Sequence, residues 1–189
     1  MNAEQALEKL ESQFLRIFSE VCLFESLYSD RELGTLLRDH LHDLFARIQR
    51  PLLDGIVLGI CRMLDPAETC GNDNLTLFYL LDVMPSNDRI LKDRVEALNL
   101  QVRQLRMLRN KIIAHADLRA NSSDRVEYLG ASHDEVIGYI ASIREILDHC
   151  STAIRGTTVG YHADPLDVGG PEALKTILRH VTSNVESRS

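Results

Sequence analysis

The residues best able to do chemistry cluster between Arg109 and Asp117. At about 100° of rotation per helical residue, Leu91, Val95, Leu98, Val102, Leu105 and Ile112 share one apolar stripe, and Arg109 falls in its middle. A guanidinium buried there without a partner carries a large desolvation penalty. Two readings are open. Arg109 pairs with an acid inside the fold, such as Asp65 or Asp54, or it sits in a cleft where its planar fork of donors grips a phosphate. His115 follows six residues later, about 120° away around an ideal helix. The two side chains converge only if the helix distorts, or if two copies of it meet across a symmetry axis. A symmetric dimer is the easier construction. On its own, a histidine near a helix end is more often structural or solvated than functional.

Charge marks the same region. From Arg89 to Arg119 there are eight basic residues, Arg106 and Lys111 among them, against Asp93, Glu96 and Asp117. The local balance is +5 in a chain whose net charge is −7, so the remainder carries −12. Basic residues on a helix usually form a solvated face, with Arg89 and Asp93 a candidate i,i+4 pair. The asymmetry is also what a small, focused polyanion site needs. Lys111 shares a face with His115, where it either contacts a neighbouring phosphate or faces solvent. Arg62 breaks an apolar helix; it either joins the site or pairs with Asp65. Asp117 either orients His115 or caps the helix end. His40 and His42 belong to a polar face, His133 and His149 to helix ends, and His162 and His180 carry no assignment.

Helices must position these groups, because helical periodicity dominates and strand alternation is nearly absent. Residues 3–28 place Leu7, Leu10, Phe14, Ile17, Phe18, Val21 and Phe24 on one face. Ser29-Asp30 reads as the cap of a second helix, with Leu36, Leu37, Leu41, Leu44, Phe45 and Ile48 on its face. Pro51 either starts a new helix or kinks this one. Residues 52–64 are apolar almost all round, as in a buried central helix. Asp65-Pro66 ends it, a loop runs to Asn74, and Asn74 caps a short helix from Leu75 to Leu81. The longest uninterrupted pattern runs from Asp88 to about Asp117. A polar loop covers residues 119–131, and Ser132-His133-Asp134-Glu135 is a capping box opening a helix to about Ile154. Residues 155–170 hold four glycines, and Pro171 starts a last helix ending near Asn184. The expected fold is an all-α antiparallel bundle over residues 1–155, followed over residues 156–189 by a loop, a C-terminal helix and a tail.

Composition excludes several classes. Hydrophobic residues make up 44% and charged residues 26%, which rules out wholesale disorder. Aromatics are 5% with no Trp, which disfavours a stacking platform for single strands. A pI near 5.5 argues against a broad basic surface coating duplex DNA. The four cysteines form no CxxC pair, so neither a disulfide framework nor a zinc cluster is expected, and Cys22, Cys61 and Cys150 read as buried thiols. No basic segment precedes an apolar run at the N-terminus, and no stretch approaches the ~20 apolar residues of a membrane span, so the expectation is a cytoplasmic protein without a membrane partner.

The run Arg109-Asn110-Lys111-Ile112-Ile113-Ala114-His115-Ala116-Asp117 resembles the signature of the HEPN superfamily: an Arg, a polar residue, then a His a few residues on. Arg62-Met63-Leu64-Asp65-Pro66 and Asn74-Leu75-Thr76-Leu77 resemble the AbiU-like abortive-infection branch, and the resemblance spans roughly residues 1–155. It implies a metal-independent endoribonuclease of toxin or phage-defence type, acting as a homodimer whose two motif helices share a cleft, with no cofactor. Carried over, His115 is the general acid–base group for attack by a 2′-hydroxyl, since imidazole titrates nearest neutrality. Arg109 orients and neutralises the phosphate, and Asn110 supports the geometry by hydrogen bonding. Arg62, Arg106 and Lys111 are the expected substrate-binding residues. The partners implied are RNA and a cognate antitoxin or other protein. The alternatives are a non-catalytic HEPN module binding a partner protein, nucleotide or RNA, and a plain helical adaptor.

Overall fold

A computed structural model describes residues 1–28, 31–110, 131–158 and 175–179, apart from the His40 side chain. Among the described residues the helices run in order α1 (Ala3–Tyr28), α2 (Arg31–Met63), α3 (Leu77–Val83), α4 (Arg89–Gln101), α5 (Arg103–Leu108) and α6 (His133–Arg155). Residues 175–179 are also helical. The fold is all-α, with one very small hairpin of β1 (Glu68–Thr69) and β2 (Asn72–Asp73). The chain divides into two compact units, one of Met1–Ile17 with Val57–Tyr161, the other of Phe18–Ile56 with His162–Ser189. The division cuts through α1 and α2.

In the first unit, α1 buries Leu7, Leu10, Phe14 and Ile17, the stripe that its periodicity predicts. The end of α2 buries Ile60, Cys61, Met63 and Leu64, and leaves Arg62 exposed. Gly59 permits close helix packing: a Cβ there would lie 2.5 Å from Ile17 Cγ1. The α4 helix packs on α3 and α6, burying Leu91, Val95 and Leu98. The α6 helix begins with the expected capping box between Ser132 and Glu135 and ends at Gly156, whose φ of 73° suits glycine. Arg155 Nη1 meets both Glu11 carboxylate oxygens at 2.9 and 3.0 Å, tying the end of α6 to α1. Arg94 pairs with Glu145 rather than with an acid on its own helix, and Arg89 and Asp93 do not pair.

Four local expectations are corrected here. The segment between α2 and α3 is a hairpin, with Glu68 opposite Asp73 and Thr69 opposite Asn72. Cys70 and Gly71 both have positive φ (51° and 77°), as a tight two-residue turn requires. Asn74 does not cap α3: its Nδ2 donates to Pro66 O and Thr69 Oγ1, closing the hairpin, and Thr76 caps α3 by accepting from Tyr79 N. The pattern from residue 88 onward is not continuous, because Val102 (ψ 9°) separates α4 from α5. Tyr139 Oη donates to Gln101 O at that break. In the second unit, Pro51 is absorbed within α2, and the kink falls at Leu41 (φ −137°, ψ 29°). That residue shifts the phase of the helix. Leu33 and Leu37 are buried with Leu178, while Leu41, Leu44 and Ile48 are on the surface. The Ser29-Asp30 cap, the loop after Asp117 and the limits of the last helix lie outside the described residues.

Two outcomes follow. Gly59→Ala drives a methyl group into Ile17 and destabilises the chain by roughly 1–3 kcal/mol, seen as a lower denaturant midpoint. Asp88 caps α4: its hydrogen bond from Leu91 N, and then the neighbouring His149 at 2.9 Å, hold its carboxyl below the ordinary 3.8. A depressed folded pKa stabilises above the ordinary value, and that contribution disappears as pH falls through the folded one. Asp88→Ala therefore melts below wild type at neutral pH, and the difference closes as pH drops below about 3.8.

Candidate functional site

Arg109 and Asn110 continue from α5 in a wider, π-type turn. Arg109 Nη1 donates to both Asp65 carboxylate oxygens at 2.7 and 2.8 Å, and its Nε donates to Asn110 Oδ1 at 3.0 Å. Asp65 follows the end of α2, so the pair joins segments 44 residues apart in the chain. Both side chains are largely shielded, with 19% of Arg109 and 25% of Asp65 exposed. The two donors on Arg109 Nη2 make no hydrogen bond among the described residues.

Arg106 lies one turn earlier and supplies a second cation. Its Nη2 donates to Leu64 O at 3.1 Å and Asn99 Oδ1 at 2.6 Å. Its Nε is 3.9 Å from Asp65 and buried without a hydrogen-bond partner among the described residues. Among the described residues two guanidiniums thus face one carboxylate, a local charge of +1. Together with Asn99 and Phe78 they line a cleft of about 420 Å³. Cys61 lies close by: burial pushes its thiol up to about 11, although the charges of Arg109 and Arg106 pull it down. It is therefore protonated near neutral pH and not a nucleophile. Cys22 is half-buried, Cys150 buried and Cys70 exposed; all four thiols are free.

Of the residues singled out from sequence, Arg106, Arg109 and Asn110 meet here. Asp65 rather than Asp54 is the partner of Arg109; Asp54 instead accepts from Arg50 Nε at 3.2 and 3.3 Å. Arg62 does not pair with Asp65. It is exposed and lines a separate cleft of about 730 Å³, to which Asp65 also contributes. Lys111, His115 and Asp117 lie outside the described residues. Asn99 is a contributor that the sequence reading missed, although seven-residue spacing from Arg106 would put both on one face of an unbroken helix. Arg16, on the polar side of α1, was missed as well. Among the described residues no group of three or more His, Cys, Asp or Glu side chains could hold a metal ion, and no helix is long and apolar enough to cross a membrane.

Residues 2–167 match the family model for HEPN AbiU2. No curated protein and no solved structure matches the chain.

Removing one partner of a shielded ion pair leaves the other charge uncompensated, whereas removing both restores much of the loss. Asp65→Asn alone destabilises by about 2 kcal/mol. Combined with Arg109→Met it is far milder, so a double-mutant cycle in denaturant gives a coupling of about 1–2 kcal/mol.

Proposed function

The chain belongs to the AbiU2 family of HEPN domains, and on that premise we propose that it is a metal-independent endoribonuclease of toxin or phage-defence type. The supporting observation is the neighbourhood of Arg109: a guanidinium fixed along Nη1 and Nε, with the Nη2 donors unused among the described residues, at a cleft that also holds Arg106. A scissile phosphate bound there gains planar donors and a net positive field. His115 takes the proton from the ribose 2′-hydroxyl. The 2′-oxygen attacks phosphorus, the bond from phosphorus to the 5′-oxygen breaks, and a proton goes to that leaving oxygen. The products are a 2′,3′-cyclic phosphate and a 5′-hydroxyl. In a homodimer the second copy of His115, protonated, donates its own proton to the 5′-oxygen while the first keeps the one it took, so neither imidazole needs both roles at once. Asn110 positions Arg109, and Lys111 serves a flanking phosphate. A cognate antitoxin would act by covering this cleft.

The second reading is a non-catalytic HEPN module that binds a partner protein, a nucleotide or RNA. It is favoured by the same ion pair, because Asp65 already occupies Arg109 Nη1.

Labelled RNA incubated with the protein in excess chelator separates the two. The nuclease leaves cyclic-phosphate ends, and His115→Ala lowers the rate by roughly 10²–10⁴-fold. Arg109→Met does so too, with the fold intact by circular dichroism. Intact RNA at every protein concentration, with a protein or nucleotide still held by the wild-type cleft, establishes the binding module instead.

A further inference from the structure

The larger of the two clefts, about 730 Å³, lies within the first unit between α1, the end of α2 and the segment after the hairpin. Arg16 and Arg62 line it from two different helices. Both are exposed, and neither side chain makes an ion pair or hydrogen bond among the described residues. Elsewhere in this unit Arg94, Arg109 and Arg155 are each matched to a carboxylate, whereas Arg89 and Arg103 are exposed and unpaired among the described residues but line neither cleft. The carboxylate of Asp65, which also contributes to this cleft, is engaged by Arg109 and does not cancel these two charges.

The rest of the lining narrows the ligand. Ile17 and Leu75 supply apolar surface, and Gln13 and Asp73 supply an amide and a carboxylate. The Asp73 carboxylate repels a phosphate but accepts from a sugar hydroxyl or a base amino group. Bare phosphate fits such a mixed lining poorly. A nucleotide fits it, with phosphate, hydroxyls and a flat apolar base, and the volume lies within the range of roughly 300–1,000 Å³ usual for small-ligand sites. The close approach of Gly59 to Ile17 makes part of the wall backbone and aliphatic side chain rather than mobile polar groups.

We propose that this cleft holds one phosphorylated ribonucleotide unit, with Arg16 and Arg62 gripping its phosphate. The choice of ribonucleotide rests on the nuclease reading; the anionic, nucleotide-sized character of the ligand rests on the cleft. The unit is either part of an RNA strand whose scissile phosphate lies at Arg109, or a free nucleotide.

Binding is measured in the full chain carrying His115→Ala, so that cleavage plays no part. A labelled single-stranded RNA is followed by fluorescence anisotropy at several salt concentrations, and AMP by calorimetry. Adding Arg16→Gln and Arg62→Gln, both at exposed positions, weakens RNA binding by about tenfold. It also lowers the slope of log K against log salt by about 0.7, the loss of one phosphate contact on a single strand. That result, with AMP failing to bind, assigns the cleft to the strand. AMP binding that disappears in the double variant assigns it to a free nucleotide. If RNA and AMP binding are both indifferent to Arg16 and Arg62, the proposal is overturned, even where wild type cleaves RNA. If wild type never cleaves RNA but nucleotide binding still depends on these arginines, the nuclease reading alone fails.

Discussion

The ion pair between Asp65 and Arg109 is the contact on which the site depends. It joins the end of α2 to the end of α5, and no other described ion pair fixes the orientation of a motif residue. Its worth as stability is small, because the attraction in a shielded pair roughly offsets the cost of removing both charges from water. Its effect is positional. With Nη1 on Asp65 and Nε on Asn110, the plane of the guanidinium is set, and among the described residues nothing engages the Nη2 edge. Arg106 adds a second positive charge to the same carboxylate at a looser 3.9 Å, so the pair is neutral while the cluster is not. One acid shared between two cations anchors them and still leaves a field that favours an anion.

The break at Val102 sits just ahead of this cluster. An unbroken helix through residue 110 would keep one phase for its stripe, and the fold relaxes that constraint twice. Val102 leaves helical ψ while its side chain stays buried, and Arg109 and Asn110 widen the turn. Tyr139 supports the first relaxation by donating to Gln101 O, and Asn99 and Leu64 O support the second by holding Arg106. π-type turns of this kind recur at functional sites, where they re-aim a side chain that regular geometry would direct into the core.

Much of this was legible in sequence because it depends on local periodicity and on unit charges. The stripe of α1, the capping box of α6, the stripe from Leu91 to Leu105 and the need of Arg109 for a partner, whether an acid or a phosphate, all follow from spacing and from the cost of a buried cation. The remainder needed information that spacing does not carry. An ideal-helix rotation between Arg109 and His115 assumes regular turns, and that assumption ends at Arg109. The surface exposure of Leu41, Leu44 and Ile48 depends on one residue leaving helical φ/ψ, which no composition rule places. The hairpin at Cys70-Gly71 is too short for alternation to register. Arg16 stands on the polar side of a well-formed amphipathic helix, where an arginine is ordinarily just solvated.

Net charge and local charge are therefore separate quantities in this chain. A balance of −7 lowers the affinity of the whole surface for polyanions. The same acidity sharpens discrimination between sites, because an anion meets an attractive potential only where cations outnumber the carboxylates facing them. Among the groups described here, that condition holds at Arg106 and Arg109 around Asp65. It holds again at Arg16 and Arg62, where the same aspartate is already spent on Arg109. A substitution at Asp65 would therefore alter both clefts at once, raising the positive field in each while releasing Arg109 from its fixed orientation. Tighter capture of an anion with poorer geometry at the phosphate is the signature expected of such a change, and it separates the electrostatic role of the pair from its positional one.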